Sequence, residues 1–234
     1  GYRSIEYLYY YKRLGRGLQL MNDQDPMIDI LRKQIHQSAH GRITFEQYMA
    51  LSLYHPDYGY YSRPVDKVGK DGDFYTSANI GTIMADMVAR YISTRIRPKT
   101  NKPLTVIEWG AGTGRLARHV LDAIQLHDPC CYEQLEYIAV ETSNFHKCSI
   151  EKNVRAHAAK VNLVSHFTSP REDRHYVHLA NEFLDAMPVR RLTRHKQRLC
   201  EYWVVWDELR QWFRHQLVEV EEPLLLNYIQ KHGI

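Results

Sequence analysis

The stretch from Val106 to Leu116 constrains this chain more than any other part of its sequence. An apolar run of β-strand character over 104–107 reaches Glu108, glycines follow at 110, 112 and 114, and a helical pattern begins at Leu116. Strand, glycine turn and helix in this order let a ligand lie against bare backbone amides, beside the positive end of the helix dipole. The stretch therefore predicts an α/β unit with a ligand site at the turn; an ordinary surface turn is the alternative.

The spacing of the glycines narrows the choice of ligand. The motif reads E-x-G-x-G-x-G from Glu108 to Gly114, whereas dinucleotide folds carry G-x-G-x-x-G. A carboxylate at the end of the strand repels a diphosphate but suits a ligand with a positive amino group. The motif therefore favours S-adenosylmethionine (SAM) over NAD as cofactor.

The composition argues against several other classes of protein. The 234 residues carry a net charge of +4, which is too mild to argue for nucleic acid as a partner. The cysteines at 130, 131, 148 and 200 form no C-x-x-C pair, so we expect reduced thiols and no metal site. No apolar run reaches the roughly 20 residues that span a bilayer, and no signal-peptide core is visible, so we expect no membrane span.

The first 25 residues interleave tyrosines with lysine and arginine, as in Tyr9–Arg13. Such a pattern can bind single-stranded nucleic acid, or can imitate an organelle presequence, or can belong to a poorly ordered arm. A helical pattern then runs from Met27 to Ile35, and Thr44 with Gln47 forms a capping box for the next helix. A further helix is predicted with Ile80, Ile83, Met84, Met87, Val88 and Tyr91 on its buried face.

Polar residues follow two other predicted strands. The strand over 135–140 ends at Glu141, where a carboxylate can accept from both hydroxyls of a ribose. A short strand is predicted over 162–166, and the strand over 175–180 ends at Asn181 and Glu182. Alternating strands and helices predict parallel pairing, which gathers these residues at the carboxyl edge of one sheet. Asn181 and Glu182 could instead cap the following turn.

The remainder of the chain predicts an antiparallel meander with strands over 189–192, 199–206 and 211–220, followed by a short helix. We therefore expect three regions. Residues 1–97 hold an N-terminal arm, helices and a loop that covers the cofactor; residues 98–188 form the Rossmann-like core; and residues 189–234 form the meander and the last helix.

Four motifs in this order resemble the MidA-type SAM-dependent methyltransferase family, whose mitochondrial members are protein-arginine methyltransferases that assist assembly of respiratory complex I. In chain order they are Tyr54–Tyr61, Gly72–Ser77, Glu108–Gly114 and Ala180–Val189. The resemblance covers about residues 43–220. It implies a class I methyltransferase α/β fold: a Rossmann-like parallel sheet with added N-terminal helices and the antiparallel meander.

The resemblance also implies roles for particular residues. The methionine end of SAM would contact Glu108, Gly110, Gly112 and Gly114, and its ribose would contact Glu141. The loop residues Asp73, Thr76 and Ser77 would close over the cofactor, although loop and helix-cap chemistry alone could also explain them. Asn181 and Glu182 would border the transfer site, with Glu182 as the first candidate to orient a substrate guanidinium and Asp185 as the second.

Chains of this family continue beyond the length of this one and supply further strands of the sheet. The sheet would then be incomplete at its C-terminal end, with an open edge on its fourth strand. Three explanations stay open: the chain is a fragment, the meander or a second subunit in a homodimer covers the edge, or the protein is a shortened relative. We expect a bacterial cytoplasmic protein, or a mitochondrial one if the source is eukaryotic.

The sequence thus predicts a SAM-dependent methyltransferase acting on a protein side chain, with arginine favoured by the resemblance. The alternative is a non-catalytic assembly or interaction protein that retains a methyltransferase-like fold. An RNA methyltransferase that uses the tyrosine- and arginine-rich arm is a third, weaker hypothesis.

Overall fold

The computed structural model describes residues 25–62, 82–97, 101–168 and 170–233. These residues belong to two compact units. One unit combines residues 1–63 with residues 187–234, and the other spans residues 64–186. The boundaries at 97 and 188 that the sequence suggests stay a prediction.

The helices and strands are numbered here in chain order. The helices are α1 Pro26–Gln37, α2 Phe45–Tyr54, α3 Ile83–Tyr91, α4 Arg115–His127, α5 Pro129–Gln134, α6 Asn144–Asn153 and α7 Pro223–His232. The strands are β1 Ile43–Thr44, β2 Leu104–Trp109, β3 Glu136–Val140, β4 Val161–Val164, β5 His175–Leu179, β6 Leu192–His195, β7 Arg198–Asp207 and β8 Trp212–Glu219. A π-helical turn, Ile92–Ile96, extends α3, and short 3-10 helices cover Arg155–His157 and Leu184–Ala186.

The unit spanning 64–186 is built on a parallel sheet of order β4-β3-β2-β5. Alternation along β2 sends Val106 and Glu108 to one face, where helix α4 buries an apolar stripe that includes Val120 and Ile124. Ile107 points to the other face and packs in a second, smaller cluster. The α/β fold and the parallel pairing predicted from the sequence are both present.

The buried face of helix α3 differs from the predicted one. Ile83, Met87 and Tyr91 were expected to face the core, but they are 76%, 67% and 60% exposed. The buried residues are Ala85 and Ala89, with Ile92 in the turn that follows. Small side chains on one stripe let the helix approach its neighbour α4 closely, and a pattern that counts only large apolar residues overlooks them.

The other unit packs an antiparallel sheet against two helices. Strand β7 pairs with β1, β6 and β8, and its apolar residues meet helix α1 in a core that contains Leu31, Ile35 and Val204. The capping box is confirmed, since the Gln47 amide donates to Thr44 Oγ1 at 3.1 Å and the Thr44 amide to Gln47 Oε1 at 3.0 Å. The meander and the last helix are present.

The strand predicted over 189–192 is wrong, because β6 runs over Leu192–His195. Lys196 and Gln197 both have positive φ and form the two-residue turn that joins β6 to β7. That turn fixes the strand directly before it. Arg190 lies before the strand, and its side chain instead binds two carboxylates.

The tyrosine-rich motif Tyr54–Tyr61 follows α2 as a tight turn. A Cβ atom at Gly59 would lie 2.4 Å from the backbone nitrogen of His55, so only glycine fits there. The Gly59 amide donates to the His55 carbonyl at 2.8 Å, and the rings of Tyr54 and Tyr61 stack at 5.4 Å. The motif therefore has a local structural reason for its glycine and its aromatic residues.

None of the helices in the described parts of the chain is long and apolar enough to cross a membrane. Among those same residues, no three histidine, cysteine, aspartate or glutamate side chains are placed to hold a metal ion together.

Candidate functional site

The candidate site lies where the strand order changes direction. From β2 the chain steps to β3 and then β4 on one side, and β5 then pairs with β2 on the other side. Ligands of open α/β sheets bind beyond the carboxyl ends of the strands at such a switch point. The register places Glu108 beside Ala139 of β3 and beside Leu179 of β5. Glu141 and Asn181 each follow two residues after those partners, at the same edge.

The glycine loop after β2 adopts a conformation that other residues rarely take. Gly110, Gly112 and Gly114 have φ values of +65°, +55° and +76°. The amides of Gly110 and Ala111 both donate to the Val140 carbonyl, at 2.9 Å and 3.1 Å, which fastens the loop to β3. The loop is therefore a built feature with a defined shape.

The three glycines face different surroundings. A Cβ atom at Gly110 would lie 2.7 Å from the ring of Phe183, and one at Gly114 would lie 3.0 Å from the backbone of Ile150. At Gly112 the nearest atom among the described residues would be 3.9 Å away, and it belongs to the loop itself. Gly110 and Gly114 thus serve packing, whereas no described side chain occupies the space beside Gly112.

Glu141 joins the loop to the end of β3. Its Oε2 accepts from the Gly112 amide at 2.9 Å, and its Oε1 accepts from the Ser143 amide at 2.8 Å. His146 Nδ1 lies 3.6 Å from Oε2. Burial alone would raise the pKa of Glu141, but His146 and the two amides lower it on balance. The carboxylate form is therefore favoured, and it has lone pairs left for a diol.

Glu108 is the most deeply buried acid of the site. It is 4% exposed, and the hydroxyl of Tyr137 on β3 donates to its Oε2 at 2.8 Å. Burial raises the pKa of Glu108 to about 7, against the lowering effect of the Tyr137 hydrogen bond, and the charge of Glu141 adds to the rise. A buried carboxyl at the end of a central strand, beside a glycine loop, is typical of a functional site.

The segment after β5 reaches the same loop through Phe183. The Phe183 ring covers Gly110 and lies 6.2 Å from the ring of Trp109. Glu182 is exposed and has φ +48°, a strained conformation for a residue with a Cβ atom. Asn181 is half-buried and Asp185 is exposed within the 3-10 helix. Strain that the surrounding structure maintains beside a candidate site points to a functional constraint.

The structure thus brings most of the proposed cofactor residues to one edge of the sheet, and their roles stay predictions. Direct contacts link the glycine loop to Glu141 and to the segment that carries Asn181, Glu182 and Asp185. The three predicted loop residues Asp73, Thr76 and Ser77 lie outside the described residues.

Sequence reasoning missed two residues of this site. Tyr137 stands two positions before Ala139, the register partner of Glu108, so alternation places both side chains on the face that Glu108 occupies. That pattern could have found Tyr137. Nothing in the sequence predicts that Phe183 covers Gly110, because this contact depends on how the segment after β5 turns.

The fold and this edge define a SAM-methyltransferase-like α/β protein. The sequence profile of the family described as "Putative S-adenosyl-L-methionine-dependent methyltransferase" matches residues 87–234. The chain belongs to this family.

Curated relatives agree with the family. The chain is 28% identical over 205 residues to the mitochondrial protein arginine methyltransferase NDUFAF7 of Bos taurus, which covers 75% of this chain and 46% of that protein. It is 35% identical over 85 residues to the mitochondrial NDUFAF7 homolog of Drosophila melanogaster, which covers 36% and 19%. The chain therefore spans less than half the length of each of these curated relatives.

A solved structure extends the agreement to the fold. A superfamily member from Burkholderia thailandensis, crystallised with S-adenosyl-homocysteine, superposes with a TM-score of 0.74 at 27% identity. The match covers 92% of this chain and 55% of that one. The predictions of a MidA-type family, of the class I fold and of SAM as the family's cofactor are confirmed.

Proposed function

We propose that the chain binds SAM at the edge formed by Glu108, the glycine loop and Glu141, and that it takes part in methyl transfer to a protein side chain. The observation that carries the proposal is the direct link between the glycine loop and Glu141, which joins the ends of two neighbouring strands at the switch point. The S-adenosyl-homocysteine in the Burkholderia relative supports the same ligand chemistry.

The residues present fit such a cofactor. Within the described part of the chain, the side-chain hydrogen bond that Glu108 accepts goes to Oε2, from the Tyr137 hydroxyl. The second carboxylate oxygen, Oε1, can therefore accept from an ammonium group. The space beside Gly112 would be filled by any larger side chain. Glu141, held as a carboxylate, suits a ribose diol.

The cofactor supplies a methyl group that already carries its leaving group, so the protein chiefly aligns the reactants. With SAM bound, a nitrogen of the acceptor side chain would take the methyl group as its C–S bond breaks, and that nitrogen would lose one proton. We propose that the exposed carboxylate of Glu182 orients the acceptor and takes up this proton before solvent does. The name of the Bos taurus relative supports arginine as the acceptor.

Two measurements test the proposal. Calorimetry with S-adenosyl-homocysteine tests the cofactor site, and transfer of tritium from methyl-labelled SAM to arginine residues of a mixed peptide pool tests the reaction. We expect the wild type to bind and to transfer, and Glu182→Gln to bind without transferring. Binding without transfer in the wild type would instead support the non-catalytic alternative, and absence of binding would contradict the proposed site.

Localisation, dimerisation and the exact target belong to the proposal as well. The mammalian and insect relatives are named as mitochondrial proteins, which supports mitochondria if the source is eukaryotic. A homodimer that covers the sheet edge stays a prediction, which the oligomeric state in solution would test.

A further inference from the structure

The hydrogen bond between Tyr137 and Glu108 connects two adjacent strands inside the core. Tyr137 is completely buried, and its hydroxyl donates to Oε2 of Glu108 at 2.8 Å. The two side chains share one face of the sheet with Val106 and Ala139, which are apolar. The ring of Tyr137 could pack here without its hydroxyl, as a phenylalanine would. The hydroxyl therefore serves the hydrogen bond to Glu108.

The hydroxyl of Tyr137 can donate this hydrogen bond throughout the neutral pH range. Burial raises the pKa of Tyr137 well above its usual range, and the nearby charge of Glu108 raises it further. The hydroxyl therefore keeps its proton and remains a donor. Its only acceptor among the described residues is Oε2 of Glu108.

We infer that Tyr137 is a positioning residue for the cofactor: its hydroxyl holds Oε2 of Glu108, which orients the carboxylate and leaves Oε1 for a cationic group. This inference rests on the proposed cofactor site. It gives β3 a role inside the core, in addition to the role of Glu141 at the end of that strand.

The same hydrogen bond favours the ionised form of Glu108. Burial raises the pKa of Glu108 to about 7, and the bond from Tyr137 opposes that rise. Removal of the hydroxyl would move the titration of Glu108 upward by about one to two pH units, since a hydrogen bond to a charged group has that strength. A protonated Glu108 offers no charge to an ammonium group.

The described residues around Glu108 include few other groups that could cause such an effect. Glu141, which follows β3, is the other charged group that acts on its pKa. His146 on α6 lies against Glu141. Helices α3 and α4 contribute apolar residues to this core, among them Ala89 and Val120, and β5 contributes Leu179.

The test compares wild type with Tyr137→Phe by calorimetric titration of S-adenosyl-homocysteine between pH 6 and 9. The ligand and the rest of the protein are the same in both titrations, so the ratio of the two Kd values isolates the effect of the hydroxyl. We expect the variant to bind about tenfold or more weakly at pH 6, with the ratio falling toward one by pH 9. Thermal unfolding of the variant checks that it folds.

Two further variants sharpen the result. Tyr132→Phe removes another buried hydroxyl of the same unit, which contacts His157 at 2.7 Å, and its ratio should stay near one at every pH. Glu108→Gln should bind weakly, and addition of Tyr137→Phe to it should cause little further loss, because both changes act on one carboxylate.

The outcomes separate the two claims. A ratio for Tyr137→Phe that is constant across the pH range, whatever its size, would overturn the positioning role while leaving the cofactor site in place. A pH-dependent ratio in Tyr132→Phe as well would also overturn it. Failure of the wild type to bind at any pH would remove the proposed site and this inference together.

Discussion

The backbone amide of Gly112 donates a hydrogen bond to Oε2 of Glu141 at 2.9 Å. The glycine loop that follows β2 is thereby joined to the carboxylate that follows β3. Because β2 also pairs with β5, the residues after three strands meet at one edge.

Glu108 should reduce the stability of the protein at alkaline pH. Its folded pKa of about 7 lies above the ordinary value of 4.5, so the folded state holds a proton that the unfolded state releases. The associated stability is fully present below about pH 4.5 and is lost as pH rises through 7. Glu108→Gln should therefore raise the free energy of unfolding at pH 8 by up to about 3 kcal/mol and change it little at pH 4.5.

Thermal unfolding across pH 4.5–8 measures this effect. Glu151→Gln on the exposed surface of α6 is the matched control, and its stability should follow the wild type. An equal response of the two variants at pH 8 would show that Glu108 is not the group responsible. A stabilised Glu108→Gln that binds the cofactor poorly would show that the site exchanges stability for function.

Gly110→Ala should destabilise the protein more than Gly112→Ala. Both positions have positive φ, so both variants incur the backbone cost of roughly 1–2 kcal/mol. Only at position 110 would the new Cβ atom meet the Phe183 ring, at 2.7 Å. We expect about 1–3 kcal/mol of additional loss there, measured by denaturant unfolding.

The double variant Gly110→Ala with Phe183→Ala isolates the contact. Truncation of the ring should recover much of the extra loss at position 110, since the two side chains then no longer overlap. Equal destabilisation by the two alanine variants would mean that the Phe183 ring moves away without cost.

Arg190 should matter more for stability than an ordinary surface ion pair. It donates to both oxygens of Glu201, which is 3% exposed, at 2.9 Å and 2.8 Å, and to Glu222 at 2.6 Å. Arg190→Met would leave the buried Glu201 without its counter-charge, and we expect a loss of about 3–5 kcal/mol.

Arg198→Met is the matched control in the same sheet, because Arg198 pairs with Glu219 at 2.7 Å on the surface. It should cost no more than about 1 kcal/mol. Glu201→Gln combined with Arg190→Met should recover part of the loss. Denaturant unfolding of the wild type and these three variants provides the comparison, and equal losses for the two single arginine variants would contradict it.

Glu182 should combine backbone strain with a role in transfer. Glu182→Gly should raise the free energy of unfolding by roughly 1 kcal/mol, because φ +48° costs glycine little. Glu182→Gln keeps the strain, and its stability should change by less than about 0.5 kcal/mol. Both variants should lose transfer of the tritiated methyl group.

Lys196→Gly is the control for strain. Lys196 has φ +47° in the β6–β7 turn, so its replacement should stabilise the fold and leave transfer unchanged. Normal transfer by Glu182→Gln would remove Glu182 from the proposed mechanism.

The sequence could predict what depends on local pattern. The parallel strands, the glycine loop and the acids at the strand ends follow from alternation and from the limits that glycine relaxes. Packing decided the rest. The buried stripe of α3 uses Ala85 and Ala89 because small residues allow close approach, which a search for large apolar residues reverses. The position of β6 depends on the turn that begins at Lys196. The contact between the Phe183 ring and Gly110 depends on the path that the backbone takes after β5.

The central claim is that the ends of β2 and β3 bind the adenosyl cofactor, and titration calorimetry with S-adenosyl-homocysteine tests it most directly. The wild type, Gly112→Val and Glu141→Ala are compared after circular dichroism has established that each is folded. We predict that the wild type binds with one site, that Gly112→Val shows no measurable binding because its side chain fills the open space, and that Glu141→Ala binds at least tenfold more weakly. Wild-type affinity in both folded variants would contradict the claim.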